Sequence, residues 1–193
     1  MRIVVGTHNE HKVGELRRIL APLLPGVELV AYDGPDPIED GDTFEANALI
    51  KARAAAAHTG EVAIADDSGI AVDALDGAPG IHSARYAGTR VDADNVQKLL
   101  EDLRGVDDRS AAFVCAAALV TPDGREFVEV GRWTGSVLLE PVGPNGFGYD
   151  PVFKPTGLSV SSAELRPDEK DAISHCSTAF RALAAVIAAE LAG

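Results

Sequence analysis

Two cysteines, Cys115 and Cys176, are all that the 193 residues contain. They stand neither at the short spacing of a metal knuckle nor in the dense framework of a small secreted domain, so no structural disulfide is expected. Aromatics are few, with one Trp, three Tyr and six Phe, and alanine, valine and leucine must fill the core. Positive charge is scarce as well. Seventeen Lys and Arg against 30 Asp and Glu leave a formal net charge of −13, a field that repels polyanions and argues against nucleic acid as a partner. A small phosphate ligand would need a local cationic pocket, a metal ion, or both. The chain lacks a run of 18 apolar residues, and its N-terminus lacks the basic segment and apolar stretch of a secretory signal. No membrane partner is implied, and a cytoplasmic location is expected.

What is present is a globular balance, 46% hydrophobic and 24% charged, in a length that suits one domain over residues 1–193, or one domain of two lobes. No repeat and no linker interrupts it. The run Arg2 to Val5, closed by Gly6, reads as a buried strand. Val13, Leu16, Leu20 and Leu23 then recur at helical steps until Pro25-Gly26. A strand over 27–31 leads into a Pro/Gly/Asp loop, 33–42, and a second helix follows with Thr43 as N-cap and Gly60 as stop. Val62 to Ala65 reads as a short strand delivering Asp66-Asp67-Ser68-Gly69 as a loop, with extended chain again over 70–72. Residues 94–103 are helical by period. Residues 110–121 and 126–134 flank Pro122-Asp123-Gly124 as a hairpin, and a last helix covers about 177–191. The expected class is α/β with a mixed sheet.

Four segments carry residues suited to chemistry, and each also has a plainer reading. Thr7-His8-Asn9-Glu10-His11-Lys12 joins the first strand to the first helix, where backbone N–H groups bind phosphate and Lys12 adds a charge. The P-loop pattern is absent, and a simple Asn9 cap with a solvated Lys12 is the alternative. Asp66 and Asp67, with Glu39 from the acidic loop, offer the oxygen donors that Mg²⁺ takes. Adjacent residues of an extended chain point apart, so one can hold metal while the other orients a lysine or a water; solvated turn residues are the alternative. Gly146-Phe147-Gly148-Tyr149-Asp150 combines backbone access with a stacking ring, or is a tight turn with Phe147 in the core. Lys170 and His175 lie in a charged stretch before the last helix, where they could meet phosphate and a base carbonyl or simply face water. Lys51, late on the second helix, can reach inward, with an exposed helix lysine as the alternative.

The ordered set Thr7-x-Asn9-x-x-Lys12, Glu39-x-Gly41-x-Thr43-Phe44-x-x-Asn47-Ala48-x-x-Lys51-Ala52, Asp66-Asp67-Ser68-Gly69, Gly77-x-Pro79-Gly80 with Ser83-Ala84-Arg85-Tyr86, Phe147-Gly148-Tyr149-Asp150 and Lys170-x-Ala172-x-Ser174-His175 resembles the Ham1/RdgB inosine triphosphate pyrophosphatases over nearly the whole chain. The resemblance implies an elongated mixed sheet with flanking helices, two lobes around a nucleotide cleft, and a homodimer. The implied activity is Mg²⁺-dependent cleavage of ITP, dITP and XTP to monophosphate and pyrophosphate. By motif position, Thr7 through Lys12 would bind phosphates, Glu39 and Asp67 would hold Mg²⁺, and Asp67 would accept the proton. Lys12, Lys51 and Lys170 would offset developing charge, Ser68 would touch substrate, residues 147–150 would hold the base, and Lys170 and His175 would complete the site. Two positions depart from the family pattern. Cys176 replaces an arginine expected at the purine, which also leaves a non-catalytic nucleotide sensor open, and Ala46 replaces a glutamate. An aspartyl-nucleophile phosphohydrolase is the remaining alternative, although Asp-x-Asp spacing is absent.

Overall fold

The computed structural model describes residues 2–191. Six strands form one sheet in the order β2-β1-β3-β4-β5-β6, and the chain divides into two compact units. The first comprises Met1–Asp67, Cys115–Gly131 and His175–Gly193; the second comprises Ser68–Val114 and Arg132–Ser174. Three of the boundaries fall inside strands, β3 (Val62–Val72), β4 (Ser110–Val120) and β5 (Glu126–Val137). That is why the sequence shows no linker.

In the first unit, β1 (Arg2–Val5) runs parallel to both β2 (Glu28–Ala31) and β3, with Val4 opposite Val30 and Ala63. Side chains of a strand alternate between the sheet faces, and the core divides accordingly. Ile3, Val5, Ile64, Cys115, Ala117 and Leu119 pack with α1 (Glu10–Leu20) and α5 (His175–Leu191), chiefly through Leu16, Leu20, Phe180 and Leu183. Val4, Ala63, Ala65, Ala116 and Ala118 pack with α2 (Phe44–Thr59) through Ala48, Ala52, Ala55 and Ala56. A face of alanines lets α2 approach closely.

The caps of α2 follow expectation. Thr43 accepts from the Ala46 N–H, and Gly60 ends the helix in the left-handed region at φ 69°, where a Cβ is costly. Thr43→Ala should lower stability by about 1 kcal/mol, read as a drop of roughly 2–4 °C in Tm for a chain of this size.

The second unit holds α3 (Asp92–Asp102), β6 (Phe153–Pro155) and α4 (Pro167–Ile173). Strand β6 pairs antiparallel with β5, Gly135 opposite Pro155, so the sheet is mixed. This unit takes much of the scarce aromatic content: Phe153 meets Phe113 and Trp133 at ring separations of 4.5 and 5.5 Å. Among the described residues, no single helix is long and apolar enough to cross a membrane.

Several expected boundaries move. Residues 66–69 are not a loop, since β3 runs unbroken from Val62 to Val72. Gly69 allows this, because a Cβ there would collide with Ser83 and the Gly80 carbonyl. Helix α1 ends at Leu20, ahead of the stop expected near Pro25-Gly26. The charged stretch before the last helix is itself helical, as α4, and α5 begins at His175.

Candidate active site

The alternation that divides the core continues into the acid pair. Asp67 shares the α2 face with Ala63 and Ala65, whereas Asp66 shares the α1/α5 face with Ile64. On the α2 face, Asn47 and Lys51 stand one turn apart and both reach Asp67. Asn47 Nδ2 donates to Asp67 Oδ2 at 3.3 Å. Lys51 Nζ lies 3.1 Å from Asp67 Oδ1 and 3.1 Å from Glu39 Oε2. The other end of Asn47 accepts from the Gly41 N–H at 2.9 Å, so one buried amide ties the Glu39 loop to Asp67. Gly41 must be glycine for this approach, because a Cβ would come within 2.7 Å of Asn47 Oδ1. Burial, helped by Glu39 and Asp66, holds the Asp67 carboxyl above the usual carboxylate range despite the pull of Lys51. Burial also works against the Lys51 charge, but Asp67, Asp66 and Glu39 outweigh it and raise its pKa.

On the opposite face Asp66 is held by Lys12, at 2.8 Å. The Lys12 ammonium also donates to Cys176 Sγ at 3.1 Å and lies 3.6 Å from Glu15. It is buried, and burial alone would drive off its charge. Asp66, Cys176, Glu15 and Cys115 more than reverse that, raising its pKa well above the ordinary lysine value. This corrects the expectation that Lys12 offers free charge to phosphate: a buried ammonium must be paired, and Lys12 instead anchors Asp66.

Cys176 is placed differently from expectation as well. Its side chain, 1% exposed, belongs to the first unit's core beside Cys115, with the Lys12 ammonium at 3.1 Å. A side chain enclosed in that way does not read a base. The two cysteines, distant in sequence, therefore meet. The hydrogen bond between them lowers the Cys176 thiol well below its usual value, with His175 and Lys12 adding to the effect against burial. The Cys115 thiol is pushed far up by burial and by Cys176.

The segment before α1 forms the helix cap that Asn9 allows. Asn9 caps the helix, accepting from the His11 and Lys12 N–H groups, and Thr7 Oγ1 accepts from the Asn9 N–H at 3.2 Å. His8 meets Asp36 at 2.7 Å and the Tyr32 ring at 5.4 Å, while Glu10 and His11 are exposed. His175 is buried at the start of α5.

In the second unit Ser68 is half-buried on β3. Asp150 is buried and holds its turn together: its carboxylate accepts from the Phe147 N–H at 2.9 Å, from Ser162 at 2.8 Å and from Lys170 at 2.5 Å. Tyr149 is buried too, its hydroxyl donating to the Ser83 carbonyl at 2.8 Å, and burial first of all raises its pKa. Asp150 and Tyr149 therefore shape the segment rather than face a ligand, and Lys170 is committed to Asp150. Phe147 is the open group, 43% exposed with Lys170 Nζ 4.9 Å from its ring centroid. Gly148 donates to Asp92 at 2.7 Å, next to a groove of about 940 Å³ lined by Leu100, Arg104, Leu139, Phe147 and Pro151 among others.

Glu15 and Asp92 carry no signal in the sequence, Ser83 appears there only within a family motif, and Cys115 only within an apolar run. Strand parity was the usable signal for Cys115, since it places residue 115 on the same face as 117 and 119. For Asn47, quoted above within a motif, the i,i+4 spacing to Lys51 on α2 was the signal.

A mixed-sheet α/β protein that gathers paired carboxylates and lysines at β3, and a glycine-flanked exposed ring at 147, has the features of a nucleotide phosphohydrolase. The chain belongs to the Ham1 family, whose family model matches residues 3–186. A dITP/XTP pyrophosphatase of Leifsonia xyli subsp. xyli is 52% identical over 192 residues, covering 98% of this chain and 96% of that protein. Among solved structures, a HAM1 protein from Coxiella burnetii is similar at a TM-score of 0.89 with 41% identity, over 97% of this chain and 98% of that one. A nucleoside-triphosphatase (dITP/XTP pyrophosphatase) from Mycobacterium abscessus is similar at 0.77 with 50% identity, over 96% and 98%.

Proposed function

We propose that this protein hydrolyses the deaminated-purine nucleoside triphosphates ITP, dITP and XTP to monophosphate and pyrophosphate, with Mg²⁺, in the cytoplasm and as a homodimer. The supporting observation for the chemistry is the Glu39–Lys51–Asp67 cluster. The substrate class rests on the relatives named dITP/XTP pyrophosphatase. The dimer and the compartment rest on the resemblance and on composition.

The cluster suits a hard cation. Two carboxylates share the single Lys51 ammonium, so an excess of negative charge remains on oxygen donors, the ligand type Mg²⁺ prefers. Lys12 and Lys170 are likewise matched by acids, and a triphosphate therefore needs positive charge from elsewhere. Glu39 and Asp67 would hold the ion, which when bound neutralises phosphate charge and polarises the reacting P–O bonds. Asn47 and Lys51 fix the Asp67 carboxylate in one orientation, from which it accepts the proton of the attacking water. The amino end of α1, residues 7–11, presents the positive end of its helix dipole to phosphate. The exposed Phe147 ring offers the base a stacking face. Asp66 is a poor nucleophile candidate, being enclosed by Lys12 with its side chain only 6% exposed.

ITP incubated with Mg²⁺ should give IMP and pyrophosphate, and orthophosphate as the first product would refute the reading. A panel of ITP, XTP, GTP and ATP tests the substrate class. Asn47→Ala removes a hydrogen bond to a charged group, worth about 1.5–3 kcal/mol. Turnover should fall at least about 10-fold, with KM for ITP little changed.

A further inference from the structure

The α1/α5 face of the sheet carries a cluster for which the hydrolytic reading has no use. Asp66 on β3, Cys115 on β4 and Cys176 in the first turn of α5 bring one carboxylate oxygen and two sulfurs within 4.8 Å of one another. Cys115 Sγ and Asp66 Oδ2 are 3.8 Å apart. We propose that Asp66, Cys115 and Cys176 form a second cation site, selective for a thiophilic divalent ion of the zinc class and separate from Glu39 and Asp67.

Three lines of geometry and chemistry carry this. For three atoms all within 4.8 Å of one another there is a point no more than roughly 2.8 Å from each, against about 2.3 Å for Zn–S and 2.0–2.2 Å for Zn–O bonds. A contraction of a few tenths of an ångström therefore completes three ligands, leaving the fourth tetrahedral position to water. The donor set is selective. Two sulfurs suit zinc, cadmium or cobalt and are poor ligands for Mg²⁺, which keeps to oxygen. The position already attracts positive charge, because the Lys12 ammonium sits 2.8 Å from Asp66 and 3.1 Å from Cys176. With both thiol protons released to solvent, one dication and the Lys12 ammonium face two thiolates and the buried carboxylates of Asp66 and Glu15, so the cluster has negative charge enough to match the ion.

The consequence rests on the function proposed above. A thiophilic ion takes Asp66 and Cys176 from Lys12, at a position next in sequence to Asp67, and so inhibits turnover even with Mg²⁺ in excess. The site itself is tested apart from activity. Reduced, metal-free full-length protein titrated with Co²⁺ or Cd²⁺ should develop thiolate-to-metal charge-transfer absorption that saturates at one ion per chain and persists in excess Mg²⁺. Cys115→Ser, and Cys115→Ala as a second variant, should lose that absorption while hydrolysing ITP as the wild type does. Inhibition by Zn²⁺ should weaken by at least about 10-fold in both, the lower end of what losing even an outer partner of a metal costs. No thiolate absorption in the wild type, or identical titrations of the wild type and both variants, overturns the proposal. A wild type that binds the ion but does not cleave ITP supports the site and refutes the hydrolytic reading.

Discussion

Asp67→Asn should reduce hydrolysis of ITP by roughly 10²–10⁴-fold, the contribution of a positioned general base, while leaving the protein folded. The substitution keeps the shape of the side chain, and an asparagine oxygen can still accept from Lys51, but the group that takes the proton is gone. Its effect on stability should be small, within about 1 kcal/mol, for a reason visible in the site. Burial first, then Glu39 and Asp66, hold the Asp67 carboxyl above its ordinary value, and Lys51 offsets this only in part. The native state therefore binds the proton more tightly than the unfolded chain, and in metal-free protein Asp67 costs stability as pH rises from the unfolded carboxyl value through the raised folded one. Above that interval the variant should match or slightly exceed the metal-free wild type in Tm. Steady-state rates with ITP and thermal melts without metal separate the two effects; near wild-type turnover would remove Asp67 as the base.

Most of what positions Asp67 could be read from the chain, because it depends on local periodicity. Thr43 and Gly60 mark the ends of α2 by cap chemistry, and Asn47 and Lys51 share a face through their i,i+4 spacing. That adjacent aspartates point apart follows from strand geometry, and it correctly separates the neighbours of Asp66 from those of Asp67. What local rules missed depends on contacts between distant segments. The turn-like composition of Asp66-Asp67-Ser68-Gly69 argued for a loop, but lysines from α1 and α2 satisfy the carboxylates and Ser83 supports the strand through the Ile70 N–H. Lys12 reads as a surface or phosphate-facing lysine until Asp66, 54 positions along the chain, encloses it. Cys115 and Cys176 have no meaningful spacing, yet β4 and α5 pack together and the thiols meet. Likewise Lys170 looks solvated until Asp150 claims it.

The largest effect on stability is expected from Lys12→Met. Methionine has a similar length and fills the space, so the loss is electrostatic. Asp66 and Glu15, with side chains 6% and 5% exposed, would keep their burial without the ammonium that faces them both. Breaking a buried ion pair by removing one partner typically costs about 3–5 kcal/mol, because the remaining charge is left uncompensated. Against a total of roughly 5–15 kcal/mol for a domain, such a loss should move the denaturant midpoint far to the left. The pH dependence distinguishes this cause from a packing defect. The folded pKa of Lys12 is raised well above the ordinary lysine value, so its stabilisation is fully present below the unfolded value of about 10.4 and fades only as pH rises through the folded one. Wild type and variant should thus differ by the same amount at about pH 7 and pH 9, and converge only in more alkaline solution. A difference that stays constant through that alkaline range would assign the loss to packing. The catalytic consequence follows from the same contact: with Asp66 released, the strand that carries Asp67 loses its tether to α1, and turnover should fall even where the variant is fully folded.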